Sequence, residues 1–208
     1  MQRTAKAIGV ALMVCLGIVV APAAASASSA FYYYPGGAAV PAGTQVTGTI
    51  SGPKFTTGIG TTECNNGTVT GTVKAGSPAT MQIEKYQFNP RTIETENNCI
   101  FPYGNLTAEG KLKIETPQCL GYEGFEGGQG LWALGGGACG SPQAMRMTWE
   151  IPGGNCHYVR ASIITLAGPV APINASGNQK WVREGKELNC PQEPKVTLGL
   201  IFNTLEVH

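Results

Sequence analysis

Residues 44–50, TQVTGTI, and residues 67–74, GTVTGTVK, decide how this chain reads. In both, valine, isoleucine or glycine alternates with threonine or another polar residue. A period of two marks a strand with one buried face, because successive Cβ atoms point to opposite sides of a pleated backbone. Valine and threonine are stiff at χ1 and suit a sheet better than a helix. The alternation continues outward through 79–86 ATMQIEKY, 110–115 GKLKIE, 143–151 QAMRMTWEI, 155–166 NCHYVRASIITL, 179–183 QKWVR and 195–207 KVTLGLIFNTLEV. Glycine, proline and asparagine separate these runs. Asn66-Gly67 and Gly153-Gly154-Asn155 carry tight-turn signals that predict hairpins. Beyond the N-terminal stretch no window has a helical period. The sequence therefore predicts an all-β fold, an antiparallel β-sandwich or irregular barrel.

Residues 1–27 have a different character. Arg3 and Lys6 precede an uncharged apolar run over 7–21, and APAAASASSA follows with alanines at signal-cleavage spacing. That is the pattern of a secretory signal peptide. The run is short for a membrane span of roughly 20 residues, and Pro22 follows at once. Cys15 lies inside the run behind a bulky Val14, which does not suit lipid attachment. The expectation is export, without membrane insertion once the signal is removed. Residues 28–43 read as a flexible arm opening on Phe31-Tyr32-Tyr33-Tyr34-Pro35, and 44–208 as one sandwich-like domain.

With Arg3 and Lys6 gone, 12 basic side chains face 13 acidic ones, and no basic stripe suggests nucleic acid or an anionic membrane. Six cysteines remain: Cys64, Cys99, Cys119, Cys139, Cys156 and Cys190. An even number in an exported chain predicts disulfides. Spacing alone leaves many connectivities open. Nearest-neighbour pairing, Cys64 with Cys99, Cys119 with Cys139 and Cys156 with Cys190, is the expectation. Loops of this size would each add roughly 3–4 kcal/mol in the chain-entropy account.

Nine of the twenty residues 121–140, GYEGFEGGQGLWALGGGACG, are glycine. The density suggests a long loop between sheets, tied at its base by Cys119 and Cys139. Such loops carry function or are mobile. If this one binds, Tyr122, Phe125 and Trp132 are the side chains it would present. Of the other tryptophans, Trp149 alternates with Met145 and Met147 and is expected in the core. Trp181, flanked by charges, is expected nearer the surface. There is also a weak internal repeat. Aligning Cys64 with Cys156 sets Ala75-Gly76 against Ala167-Gly168 and Phe55 against Met147, as a duplicated β unit would.

The strings FTTGIGTTEC (55–64), GTVTGTV (67–73), NNC (97–99) and GGNCHYVRAS (153–162) resemble secreted, β-rich, disulfide-bearing proteins of actinobacteria. The resemblance spans roughly residues 44–206. It implies a sandwich-like extracellular domain, and it supplies no activity and no catalytic residue.

The absences narrow function further. The chain has no aspartate, since all 13 acidic residues are glutamate. That removes the Ser-His-Asp triad, the aspartic dyad and Asp-rich calcium loops. The histidines are His157 and the terminal His208, too few for a histidine-based metal site once the cysteines are in disulfides. No nucleophile elbow, phosphate loop or zincin spacing is present. The conceivable hydrolase carboxylates are Glu94 with Glu96, Glu123 with Glu126, and Glu150. The sequence therefore favours a secreted non-catalytic module, without cofactor, that binds an extracellular protein or polysaccharide. A glutamate-dependent hydrolase and a secreted inhibitor or toxin are the alternatives.

Overall fold

In the computed structural model the described residues are 29–58, 60–91, 96–103, 106–185 and 190–208. They are all-β, with no helix among them. The strands run in chain order as β1 (Phe31–Tyr33), β2 (Gln45–Thr57), β3 (Gly60–Cys64), β4 (Gly67–Val73), β5 (Thr80–Phe88), β6 (Cys99–Tyr103), β7 (Leu106–Ile114) and β8 (Gln118–Glu126). They continue as β9 (Gln129–Gly136), β10 (Met145–Ile151), β11 (Gly154–Arg160), β12 (Ile164–Gly168), β13 (Ile173–Lys180), β14 (Val182–Glu184), β15 (Lys195–Phe202) and β16 (Leu205–Val207).

Two tiers share β2 and β15. In the upper tier β4–β2–β15–β13–β12–β9–β8–β5 form consecutive antiparallel pairs, and β5 pairs back with β4, closing an eight-stranded barrel. In the lower tier the second half of β2 continues through β3, β6, β7, β10, β11 and β14. Beyond β14, Arg183 N donates to Gln192 O and Trp181 N to Pro194 O, and that segment runs into β15. The chain alternates between tiers, so β3 leads into β4, β7 into β8, β9 into β10, β11 into β12 and β13 into β14. It is thus a meander of eight long strands, of which β2 and β15 are each a single strand and the others step at a common waist. Asn66-Gly67 marks one such step and not the predicted hairpin. Asn66 Oδ1 there accepts from Gly52 N at 2.6 Å. The other predicted turn is a hairpin, with Ile151 opposite Gly154.

The alternation of the sequence becomes inside and outside. Along β4 the burial pattern repeats with period two, with Val69 and Val73 inward and the threonines outward. The upper interior is filled by Ile50, Met81, Ile83, Leu120, Trp132, Leu134, Leu200 and Phe202. Gly48 leaves room for the Phe202 ring, since a Cβ there would stand 2.6 Å from Cδ1. The lower interior centres on Trp149, whose ring lies 4.4 Å from Phe55, 4.9 Å from Tyr158 and 5.2 Å from Phe101 between centroids. Trp149 is in the core as expected. Trp181 is also buried, at 3% exposure, because its strand turns it inward between Lys180 and Val182 despite the charges around it.

Three disulfides form with the expected pairing: Cys64–Cys99, Cys119–Cys139 and Cys156–Cys190. Cys64 and Cys99 are opposite one another on β3 and β6. The segment read as a flexible arm is tied down. Phe31, Tyr32 and Tyr33 pair with Val207, Glu206 and Leu205. Ser29 Oγ accepts from Ala79 N, and Val40 N donates to Phe31 O. Together β1, β16 and the residues around them form a cap over the upper end of the barrel. Buried apolar residues on both strands hold it there.

Candidate functional site

The glycine-rich stretch 121–140 is not a loop. Most of it is the β8–β9 hairpin, with Glu126 opposite Gln129 across Gly127-Gly128. Both central glycines have positive φ, 58° and 84°, as a two-residue hairpin turn requires. Glycine density here serves turn geometry and close packing. Only residues 137–144 leave the sheet, and Cys139 ties that excursion to Cys119 on β8.

Of the three aromatic side chains predicted to act together, this hairpin leaves only Phe125 exposed. Trp132 is fully buried, inside the barrel. Its ring meets Tyr122, directly opposite on β8, at 5.1 Å, and Phe31 of the cap at 6.3 Å. Trp132 is therefore a core residue beneath the cap. Tyr122 is half-buried, and burial raises its phenol above the usual range. Phe125, near the hairpin tip, is 62% exposed. The cap adds two rings that the sequence reading left in a flexible arm, Tyr33 at 42% and Tyr34 at 39% exposure. The Phe31–Trp132 contact places cap and hairpin at the same end of the barrel. That end thus presents Phe125, Tyr33 and Tyr34 to solvent.

Six glutamates form ion pairs away from these rings. Lys54 pairs with Glu63 at 2.9 Å, Arg91 with Glu109 at 3.8 Å and Arg146 with Glu184 at 3.6 Å. Lys111 pairs with Glu96, Lys113 with Glu150 and Lys180 with Glu193. Its hydrogen bond with Lys111 holds the Glu96 carboxyl below its ordinary range. Glu94 lies outside the described residues. Glu123 and Glu126 are exposed near the hairpin tip. His157 faces outward on β11, with Nδ1 3.1 Å from Thr148 Oγ1 on β10. No group of three His, Cys, Asp or Glu among the described residues could hold a metal ion. At the waist a polar cleft of about 50 Å³ lies among Glu115, Pro117, Gln143 and Arg146, with room for water but not for an organic ligand.

Among the polar side chains inside the barrel, Tyr86, Gln118 and Asn98 are matched, whereas the buried indole N–H groups of Trp132, Trp149 and Trp181 have no hydrogen-bond partner. Tyr86 donates to Gln118 Oε1 at 2.6 Å, and Gln118 Nε2 donates to Glu115 O at 2.9 Å. Burial pushes the Tyr86 phenol strongly upward. Asn98 Oδ1 accepts from Leu112 N at 2.8 Å. In the cap, Glu206 is buried and accepts from Gly36 N at 2.9 Å, while His208 Nε2 stands 3.1 Å from the same oxygen.

No protein-family model, curated protein or solved structure matches this chain.

Proposed function

We propose that this chain is a secreted, non-catalytic binding module of the cell exterior, with residues 1–27 removed as its signal peptide. The single observation that carries the reading is the set of exposed rings, Tyr33, Tyr34 and Phe125, at the capped end of a barrel whose interior is filled. Exposed aromatic rings are rigid, lose little entropy when ordered, and anchor contacts to proteins and sugars. Export accords with three disulfides, which persist in oxidising compartments. It also accords with the resemblance to secreted actinobacterial proteins. The partner is an extracellular polysaccharide or protein.

The test uses the mature chain, fluorescently labelled, on washed actinobacterial cells and their isolated walls. Saturable binding is expected, and the triple variant Tyr33→Ala, Tyr34→Ala, Phe125→Ala should weaken it while the melting temperature stays nearly constant. Binding that is undiminished in that variant would remove the rim aromatics from the account. A hydrolytic activity abolished by one Glu→Gln change would overturn the non-catalytic reading.

A further inference from the structure

The charges of this protein avoid one side of the upper tier. Six ion pairs cover the lower tier and the waist. Six neighbouring strands of the upper tier carry no charge over the spans Gly67–Val73, 45–51, 196–202, 173–179, Ile164–Gly168 and Gln129–Gly136, and Lys54, Lys180 and Lys195 mark where β2, β13 and β15 leave that region. They span roughly 24 Å of arc at a strand spacing of about 4.8 Å. The outward positions are threonine, serine, asparagine, glycine and alanine, with a few aliphatics. One cross-strand row runs Thr68, Thr49, Ile201, Asn174, and the next runs Ser51, Gly199, Ser176. Beside the first, Thr47 pairs with Thr70. The wall's lower border is the row in which Thr197 stands between Asn178 and Lys54.

We infer that this charge-free wall binds an uncharged, hydroxyl-rich polysaccharide; the inference rests on the binding-module reading and names its ligand. Depletion of charge is the compositional mark of an interface core, because burying an unpaired charge is costly. What replaces the charges selects the occupant. Protein-binding cores are rich in aromatic residues, methionine and arginine and poor in serine and alanine. This wall has the reverse composition, which disfavours a protein partner or a second copy. Its cations, Lys54, Lys180 and Lys195, stand only at its lower border, so the wall's own surface offers nothing to a polyanion. Hydroxyls and carboxamides, each both donor and acceptor, match the alternating donors and acceptors of a neutral sugar chain.

Two glycines on the adjoining β8 and β9 agree. Most strand glycines here are required by packing or by positive φ. Gly121 and Gly135 are not, since a Cβ at Gly121 would meet only Thr80 Cγ2 at 3.6 Å and one at Gly135 only Ile163 Cγ1 at 3.7 Å. The fold itself does not need the bare backbone at these outward positions, and such backbone allows a ligand to approach closely.

The experiment is co-sedimentation of the mature chain with insoluble neutral polymers, cellulose and chitin, against soluble polygalacturonate and chitosan as acidic and basic competitors. Binding to a neutral polymer, unchanged between low and high salt, is expected. The variant Thr68→Glu, Asn174→Glu, Ser176→Glu should lose about tenfold or more in affinity, because each carboxylate would have to be desolvated. Neutralising a lower-tier pair, Lys113→Gln with Glu150→Gln, should leave binding unchanged. Ser176→Lys alone repeats the test with a smaller perturbation if the triple variant does not fold. Failure to bind either neutral polymer, binding only to a charged one, or neutral binding untouched in a folded wall variant would each overturn the inference. So would self-association abolished by the wall variant, which would give the wall to a second copy. If neutral polymers fail but rim-dependent binding to cells persists, the ligand assignment falls and the module reading stands. If cell binding is also absent, both fall.

Discussion

Replacing Phe31 with alanine tests whether the cap is a separable unit. Phe31 is 3% exposed and stacks on Trp132 with rings 14° from parallel. A buried Phe→Ala change costs about 3–5 kcal/mol where the surroundings cannot collapse. The barrel closes through β2–β4 and β2–β15, and neither β1 nor β16 belongs to that circuit. The cap is held by Phe31, Val40, Leu205 and Val207, a three-pair ladder, and bonds such as Val207 N to Val170 O at 3.1 Å. Losing one of four apolar anchors should therefore fall on local opening of the cap. At about 1.4 kcal/mol per factor of ten, a loss of about 3 kcal/mol makes the open cap roughly 100-fold more populated. Native-state hydrogen exchange reads this directly. Amide protection at Val40 and Val207 should fall about 100-fold, while Leu200, paired with Ile50 in the barrel wall, should change far less. An equal loss at all three amides would show that cap and barrel open together. No loss at Val207 would show that Phe31 does not hold the cap.

Trp149→Ala should destabilise the mature domain by about 3–5 kcal/mol, read as a shift of the denaturant midpoint, since its ring meets Phe55, Phe101 and Tyr158. With all three tryptophans buried, iodide should quench native fluorescence hardly at all; efficient quenching would contradict the burial of Trp181 and Trp132. Mild reductant should open Cys119–Cys139 first, because both cysteines are half-buried whereas the other two disulfides lie inside the barrel, and mass mapping of trapped thiols would show the order. The folded Tyr86 phenol is raised, so it holds its proton more tightly folded than unfolded. Its contribution to stability is complete below the unfolded value near pH 10 and is lost as pH rises above it, so alkaline unfolding should begin there and Tyr86→Phe should flatten the slope. Gly121→Thr with Gly135→Thr should raise the melting temperature, as strand glycines with room for a side chain do when replaced, and a polysaccharide-binding assay should show the same variant weakened.

The fold was legible wherever inside and outside alternated in residue type. GTVTGTV and MRMTWEI announce their faces, and the strands form where they are expected. The disulfide pairing followed because nearest neighbours in a meander are neighbours in space. Two kinds of position misled. Trp181 stands between Lys180 and Val182-Arg183, and local charge says nothing about its facing, since Lys180 and Val182 point to solvent while Trp181 points into the interior. Residues 121–140 read as a loop because glycine was taken as freedom. The Gly127-Gly128 pair is itself a hairpin signal, and the alternation of Gly130, Trp132, Leu134 and Gly136 inward was visible behind it. The aromatic rim was half-legible. Phe125 was singled out, but Tyr33 and Tyr34 gain their place only through the pairing of the first and last strands, a contact between chain ends that no local pattern encodes.

The internal repeat gains meaning from the topology. Counted as eight long strands, the chain places Cys64 on the second and Cys156 on the sixth, both inward and both in the lower tier. Phe55 and Met147 lie on the first and fifth, again buried at that level. Ala75-Gly76 and Ala167-Gly168 fall where the second and sixth strands end at the capped end of the barrel. An offset of four strands in a closed eight-stranded meander preserves direction by itself, but it does not fix facing or height. Agreement in facing and level at the cysteines and at Phe55 and Met147, with the Ala-Gly pairs at matching strand ends, is what a duplicated four-stranded unit would leave behind. On that account the charge-free wall is not a property of the ancestral unit. It takes β2 and β4 from the first half and β9, β12, β13 and β15 from the second, while β5 and β8 of the first half retain Glu84, Lys85, Glu123 and Glu126. Loss of charge follows the surface of the assembled barrel and crosses the boundary between the halves, as a constraint imposed by a ligand on the finished fold would.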